Sequence, residues 1–378
     1  MKKILALLMA VVMLLSVAAM AEGEPITVGI SVMKTGTSPD DGIFAEKGIT
    51  MAVEEINAAG GINGRPIEII VEDDQGTTEG AVNVTNKLIN DGASFIIGPH
   101  RSASVSAVAD IMEANKMPYI TAGTGVNLKQ AVMDGIWNTL YFCKPLDSMQ
   151  ASIAATAVID LFAPGKVGIL YTSDAFGTGA MEVATEVFEK NGIEVQCESM
   201  NPDDKDVTGQ ILNLESGACD AVLVWVHNND MVVVARQTYE LGFTTPILTS
   251  GATVLPQVIA LMEEDWVNGW HAVTNYSRTS ESEAVQTFRQ KFIDRWEVEP
   301  EVMSASYYGA VYIMAEAMKN CEDPTNSEQI CAAMANVDIQ GVISRLRYHE
   351  GSHEYASEAF ICRMEGLNPI VEKAVDAC

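Results

Sequence analysis

Apolar and polar positions alternate over Ile26-Thr-Val-Gly-Ile-Ser-Val32, the period-two pattern of a strand. The spacing then changes to that of a helix, with Ile49, Ala52, Val53 and Ile56 on one face, and Gly60-Gly61-Ile62-Asn63-Gly64 stops it. Pro66 to Val71 reads as the next strand, Gly80 to Asn90 as a helix and Ser94 to Gly98 as a strand. Ser102 caps a helix to about Lys116, and Met117 to Thr121 returns as strand. Regular β-α-β-α alternation at this spacing predicts a parallel, doubly wound sheet.

The alternation restarts after Leu146, with strands expected at Val167–Leu170, Ile193–Cys197, Ala221–Val226 and Ile247–Leu248 and helices between them. Asn90-Asp-Gly-Ala-Ser-Phe-Ile-Ile-Gly and Glu215-Ser-Gly-Ala-Cys-Asp-Ala-Val-Leu echo each other as helix end, glycine and strand. That suits an α/β protein of two similar lobes. Beyond Trp266 the pattern gives a strand from Gly269 to Thr274 and helices near 281–296, 304–318 and 327–335. From Val342 it predicts a hairpin around Glu350-Gly351-Ser352.

The first residues follow another pattern. Lys2 and Lys3 precede an apolar run from Ile4 to Val17, and Ala19-Met20-Ala21 follows as a small-x-small site. The run is too short to span a bilayer and reads as a secretory signal cleaved after Ala21, with no Cys behind it to carry a lipid. Removing 21 of 378 residues leaves 357, enough for two domains. The formal charge of −28 includes the two signal lysines, so the mature chain carries about −30, which repels nucleic acid and anionic lipid. In an exported chain the seven cysteines raise the question of disulfides. Cys321 and Cys331 bracket a loop and are the expected pair; Cys143, Cys197, Cys219, Cys362 and Cys378 have no evident partners, and the first three read equally well as buried thiols.

Catalytic motifs do not survive inspection. His349-Glu350-Gly351-Ser352-His353 matches HExxH, but zinc needs both histidines on one helical face, and Gly and Ser after a strand-like Leu346-Arg-Tyr348 predict a turn. There is no GxSxG elbow, P-loop or CxxC spacing, and neither a cofactor nor a metal is called for. What remains is the ligand geometry of the fold, beyond the carboxyl ends of the strands. Gly98-Pro99-His100-Arg101-Ser102 and Thr121-Ala122-Gly123-Thr124 are two such junctions. Backbone N–H groups with the hydroxyls of Ser102 and Thr124 suit a carboxylate, although Ser102 as a plain helix cap and Gly123 as a tight turn explain the same residues.

The chain resembles the type I periplasmic binding proteins of the leucine/isoleucine/valine-binding family, receptors of ATP-driven (ABC) importers. The resemblance is carried by Val28-Gly-Ile-Ser, Ala52-Val-Glu-Glu-Ile-Asn-Ala-Ala-Gly-Gly-Ile-Asn-Gly64, Glu72-Asp-Asp74, the Gly98 loop and Ile120-Thr-Ala-Gly-Thr124. Gly165-Lys-Val-Gly-Ile-Leu-Tyr171, Arg236-Gln237, Leu241-Gly242 and Tyr308-Gly-Ala-Val-Tyr312 extend it over the mature chain. It implies two lobes, residues 22–145 with 276–341 and residues 146–275 with 342–378, crossing near Leu146, Asn275 and Val342. A solute would bind between them by hinge closure. By the same resemblance Ser102 and Thr124 hold a ligand carboxylate, Ala122 and Gly123 lend backbone, and Tyr308, Phe176 and His227 line the cleft, with Trp225 a further aromatic candidate.

Gly251 departs from the family, whose amino-acid binders place an acid there for the α-ammonium; Asp41 is the candidate substitute. Arg101, beside His100 and Ser102, suits an anion. The expected function is an extracytoplasmic, non-enzymatic, monomeric receptor that delivers an amino acid or related acid to a membrane permease. The alternative is a sensor presenting its closed state to a membrane signalling protein.

Overall fold

The computed structural model describes residues 23–36, 38–355 and 358–376. The signal segment, and with it the cleavage site, lies outside these residues.

The first half alternates as its pattern predicts: β1 (Ile26–Val32), α1 (Pro39–Ala58), β2 (Ile67–Asp73), α2 (Thr78–Asn90), β3 (Phe95–Ile97), α3 (Ser102–Ala114), β4 (Tyr119–Thr121), α4 (Val126–Met133) and β5 (Leu140–Phe142). The five strands pair in parallel in the order β2-β1-β3-β4-β5. Neither α4 nor β5 is evident in the sequence, because β5 is only three residues long and sits among polar turns. Then come α5 (Asp147–Phe162), β6 (Lys166–Thr172), α6 (Ala175–Lys190), β7 (Glu194–Met200), α7 (Thr208–Ser216), β8 (Ala221–Trp225), α8 (Asn228–Glu240), β9 (Ile247–Thr249), α9 (Pro256–Ile259) and β10 (His271–Thr274). The C-terminal part adds α10 (Glu283–Trp296), α11 (Val302–Lys319), α12 (Ser327–Met334), β11 (Asp338–Gln340), β12 (Arg345–Arg347), β13 (Glu358–Glu365) and β14 (Asn368–Asp376). The second sheet runs β14-β13-β10-β9-β8-β6-β7, parallel except for the β13–β14 hairpin at its edge.

Each sheet is covered on both faces, as parallel strands with near-continuous apolar runs require. On the first sheet, Ile26, Val28, Ile30 and Phe95 pack under α1 and α11, while Ile96, Tyr119 and Leu140 pack under α2, α3 and α4. Helix α11 lies against α1 so closely that a Cβ on Gly48 would come 2.2 Å from the Ser304 carbonyl oxygen; only glycine fits. The second sheet buries Ile169, Leu223 and Trp225 on one face and Leu170, Val222 and Val224 on the other. Helix α10 sits across both lobes: Phe288 and Phe292 join the core around Leu170, Val222 and Val224, while Phe292 stacks on Phe44 of α1 at 6.3 Å.

Three expectations need correction. The third crossing does not fall at Val342: β12 pairs with β11, and Leu346 and Tyr355 belong to the first lobe's core, so the chain leaves that lobe only after Tyr355. The hairpin expected around Glu350 is a turn closed by a His349–Glu354 bridge; the longer hairpin is β13–β14, turning at Gly366. With His353 at φ 57°, the HExxH segment has no helix to align its histidines. The pairing of Cys321 with Cys331 is not formed; both thiols are free. Cys321, two residues past the end of α11, turns its Sγ back to the Ala317 carbonyl of that helix at 3.3 Å, and Cys331 lies on α12 beside Tyr141. Cys143, Cys197, Cys219 and Cys362 are also free.

Candidate ligand-binding cleft

The carboxyl ends of both parallel sheets face one cleft of about 190 Å³. Met33, Ser38 and Asp41 follow β1; His100, Arg101, Ser102 and Ala103 follow β3; Ala122, Gly123 and Thr124 follow β4; Lys144 and Asp147 follow β5. From the second sheet come Asp174 and Phe176 after β6, Trp225, His227 and Asn228 at and beyond the end of β8, Gly251 after β9, and Asn275 after β10.

On the first wall, Gly98 turns the chain at φ 96°, where a Cβ would lie 2.0 Å from the Ser31 carbonyl oxygen, and so brings His100 to Ser102 into the cleft. Helix α3 then starts with no side-chain cap, so the N–H groups of its first turn, Ser102 and Ala103 included, remain for an anion. Ser102 Oγ accepts from Gly125 N at 3.0 Å, which leaves its own proton to donate. Thr124 is different. Its hydroxyl donates to Asp147 Oδ1 at 2.8 Å and accepts from Lys144 Nζ at 3.0 Å. The N–H of Ala122 donates to Tyr307 OH at 3.2 Å and that of Gly123 to Thr121 Oγ1 at 2.8 Å, so these two residues can offer a ligand only their carbonyls.

Burial pushes the imidazole of His100 down to about 3, helped by the charges of Lys144 and Arg101, so the ring is neutral near pH 7. Its Nε2 stands 3.8 Å from Asp41 Oδ2, too long for a hydrogen bond, and with a neutral ring the contact is no ion pair. Burial raises Asp41 to about 6 against the Asn228 hydrogen bond. Behind it Glu301 accepts from Met303 N and Ser304 N at the start of α11, and burial together with Asp41 raises it to about 8.

The second wall is aromatic. Phe176 stacks on His227, centroids 4.7 Å apart and planes 25° from parallel, and tilts against Trp225 at 5.9 Å. His227 Nε2 donates to Asp174 Oδ2 at 2.7 Å, and Asp174 Oδ1 caps α6 through Gly177 N at 3.1 Å. Burial opposes ionisation of Asp174, yet these bonds and the His227 charge outweigh it and hold the carboxyl at about 2. The walls touch across the cleft: Asn228 Nδ2 donates to Asp41 Oδ1 at 2.9 Å.

Of the residues the sequence singled out, Asp41, His100, Arg101, Ser102, Ala122, Gly123, Thr124, Phe176, His227 and Gly251 all line this cleft, and Trp225 joins them. Tyr308 does not. It lies on the other face of α11, donating to Glu55 Oε2 at 2.7 Å beside Tyr312. Tyr307, about 100° round the helix, is the tyrosine that braces the Ala122 loop. Lys144, Asp147, Asp174, Asn228 and Asn275 were missed; each follows a strand end, which is the signal that would have found them.

The sequence profile of the periplasmic binding proteins matches residues 25–367. The chain belongs to this family of solute-binding receptors, which work outside the cytoplasm. A Leu/Ile/Val-binding protein homolog from Brucella abortus is 26% identical over 332 residues, 86% of each chain. The branched-chain amino acid transporter substrate-binding protein LivJ from Streptococcus pneumoniae, solved with isoleucine, superposes with a TM-score of 0.83 at 23% identity, covering 93% of this chain and 99% of that one. A solute-binding protein of an ABC transporter from R. palustris, solved with benzoate, gives 0.82 at 16% identity, covering 93% and 96%. The periplasmic binding protein thus has the type I, two-lobed fold of the family.

Proposed function

We propose that this protein is the exported receptor of an ABC importer, cleaved after Ala21, which closes as a monomer on a small carboxylate-bearing solute and hands it to a membrane permease. The observation that carries this reading is the uncapped start of α3, with Ser102 and Ala103 on the cleft, opposite an aromatic wall. Ser102 and the first-turn N–H groups are assigned to the carboxylate, supported by Arg101. Thr124 acts through Lys144 and Asp147 by fixing the loop. Phe176, Trp225 and His227 take a flat apolar body.

Both solutes named for the related structures carry a carboxylate. Gly251 offers no side chain to an α-ammonium group, and Asp41 already accepts from Asn228. Aromatic or otherwise non-branched acids are therefore expected to bind better than leucine, isoleucine or valine.

The test is a thermal-shift panel pairing each amino acid with its des-amino analogue, since a ligand that binds only the folded state raises Tm by mass action. Ser102→Ala should cut the affinity for every active acid by about tenfold while leaving the unliganded Tm within a degree or two. Tight leucine binding that survives Ser102→Ala refutes the assignment. N-terminal sequencing of exported material should begin at Glu22.

A further inference from the structure

Lys144 and Asp147 follow β5 and line the cleft, with side chains 11% and 4% accessible. An ammonium group has three N–H donors and accepts nothing. One N–H of Lys144 meets Thr124 Oγ1 at 3.0 Å. Its nearest carboxylate oxygen among the described residues, Asp147 Oδ1, stands 3.4 Å away and already takes the Thr124 hydroxyl proton at 2.8 Å. A well-formed charge-assisted bond is about 2.7–2.9 Å long, so this ion pair is loose. Among the described residues no other acceptor meets the ammonium, which leaves one N–H over. A buried cation short of partners is costly.

This ammonium stands beside the start of α3. Thr124, which anchors it, precedes Gly125, whose N–H donates to Ser102 Oγ at 3.0 Å. A single residue step therefore joins the anchor of the lysine to that of the serine. The charge is felt on the same wall: burial first, and then Lys144 ahead of Arg101, holds the His100 imidazole down. Arg101 is drawn the other way. Its Cδ lies 3.5 Å from where a Cβ on Gly76 would stand, and its charge reaches Asp74; neither Gly76 nor Asp74 lines the cleft.

We propose that Lys144 is the counter-charge of the bound carboxylate, its remaining N–H taking one oxygen while Ser102 and the first turn of α3 take the other, and that this cation rather than Arg101 makes the receptor select an acid over its neutral amide. The proposal rests on the reading that the carboxylate sits at Ser102. Thr124 and Asp147 are then positioning residues, which hold the ammonium without satisfying it. A primary amide has nearly the same shape, but it offers one oxygen and a pair of N–H donors, so one side of it meets donor with donor. Closure excludes the water that would otherwise mask the difference.

The experiment is calorimetric titration of the full mature protein with benzoate, phenylacetate and valerate against benzamide, phenylacetamide and valeramide. At least one acid should bind at least about tenfold more tightly than its amide. Lys144→Gln, which keeps a donor for Thr124, should weaken that acid by about tenfold to a hundredfold and its amide by less than about threefold. Because Lys144→Gln leaves Asp147 buried without its cation, the double variant Lys144→Gln with Asp147→Asn removes both charges and should lose the same preference with an unchanged circular dichroism spectrum. Four results overturn the counter-charge: a wild type that binds amides as tightly as acids, equal losses for acid and amide, a preference unchanged in both Lys144 variants, or a preference abolished by Arg101→Gln alone. Ser102→Ala separates this inference from the reading beneath it. If Ser102→Ala weakens every acid while the Lys144 variants keep the preference, only the counter-charge falls. If the Lys144 variants lose the preference while Ser102→Ala changes nothing, only the Ser102 assignment falls. No binding by any of these acids at millimolar concentration overturns both.

Discussion

The two walls of the cleft are built on opposite principles. On the first, the loops after β4 and β5 are already engaged: Thr124 with Lys144 and Asp147, Gly123 with Thr121, Ala122 with Tyr307. What stays free, besides the remaining N–H of Lys144, is the start of α3 and the His100 imidazole, whose Nδ1 is buried with no hydrogen-bond partner among the described residues. On the second, the surface is a ring stack fixed by Asp174. The acids divide in the same way. Asp41 on the first wall and Glu301 behind it are pushed up to about 6 and 8, whereas Asp174 in the second is held at about 2. A preorganised polar wall fixes where a common functional group goes; an aromatic one decides which molecule carries it.

The comparison breaks most directly at Phe176. Phe176→Ala removes the stack on His227 and should weaken aromatic acids by about tenfold to a hundredfold in calorimetry, with aliphatic acids losing much less. Equal losses would mean that the second wall does not select.

Thr124→Val should act on the fold instead. It leaves Lys144 and Asp147 without the hydroxyl between them, so chemical denaturation should show a loss of about 1–3 kcal/mol, larger than any change attributable to direct ligand contact. A loss of affinity with stability intact would restore Thr124 as a direct ligand group.

The acids supply a pH test. Glu301 is raised from 4.5 to about 8, so its stabilising contribution is complete below about pH 4.5 and disappears as pH rises through about 8. Glu301→Gln should therefore raise Tm by a few degrees at pH 8.5 and by little or nothing at pH 4. Asp174, lowered from 3.8 to about 2, has the opposite sign: its contribution is present above about pH 4 and is lost as pH falls through 2, so Asp174→Asn should destabilise at neutral pH. A shared sign for the two variants would erase the contrast between the walls.

The smallest effect is expected at Tyr308. Tyr308→Phe loses the bond to Glu55 on the far face of α11 and should cost about 1 kcal/mol in denaturation, with ligand affinity unchanged within about twofold. A large loss of affinity would bring Tyr308 back to the cleft.

The fold was legible because long parallel strands advertise themselves: β1, β2, β6 and β8 carry apolar runs bounded by glycine or capping residues, and helices fill the intervals. Three-residue β5 was not legible, and with it went Lys144 and Asp147, which follow that strand directly. Tyr307 and Tyr308 show a second limit. Neighbouring tyrosines on a helix point about 100° apart, and resemblance at that grain cannot choose between them. The Cys321–Cys331 pairing failed for a similar reason, because a short loop in sequence says nothing about the directions of two side chains, one just past the end of α11 and the other on α12. Ser102 was found because strand ends in this architecture converge on one place, whereas Phe176 and His227 came from the family resemblance alone.

The hydrogen bond from Asn228 to Asp41 requires no passenger. If it contributes the usual 0.5–1.5 kcal/mol, it multiplies the shut population of an unloaded receptor by roughly two to ten. In the proposed import role, a transporter downstream would then meet empty vessels that look full, and every such encounter would occupy a docking slot without delivering cargo. The fraction of unloaded molecules that idle shut, readable by single-molecule distance measurements between the lobes, sets how much traffic is wasted when solute is scarce.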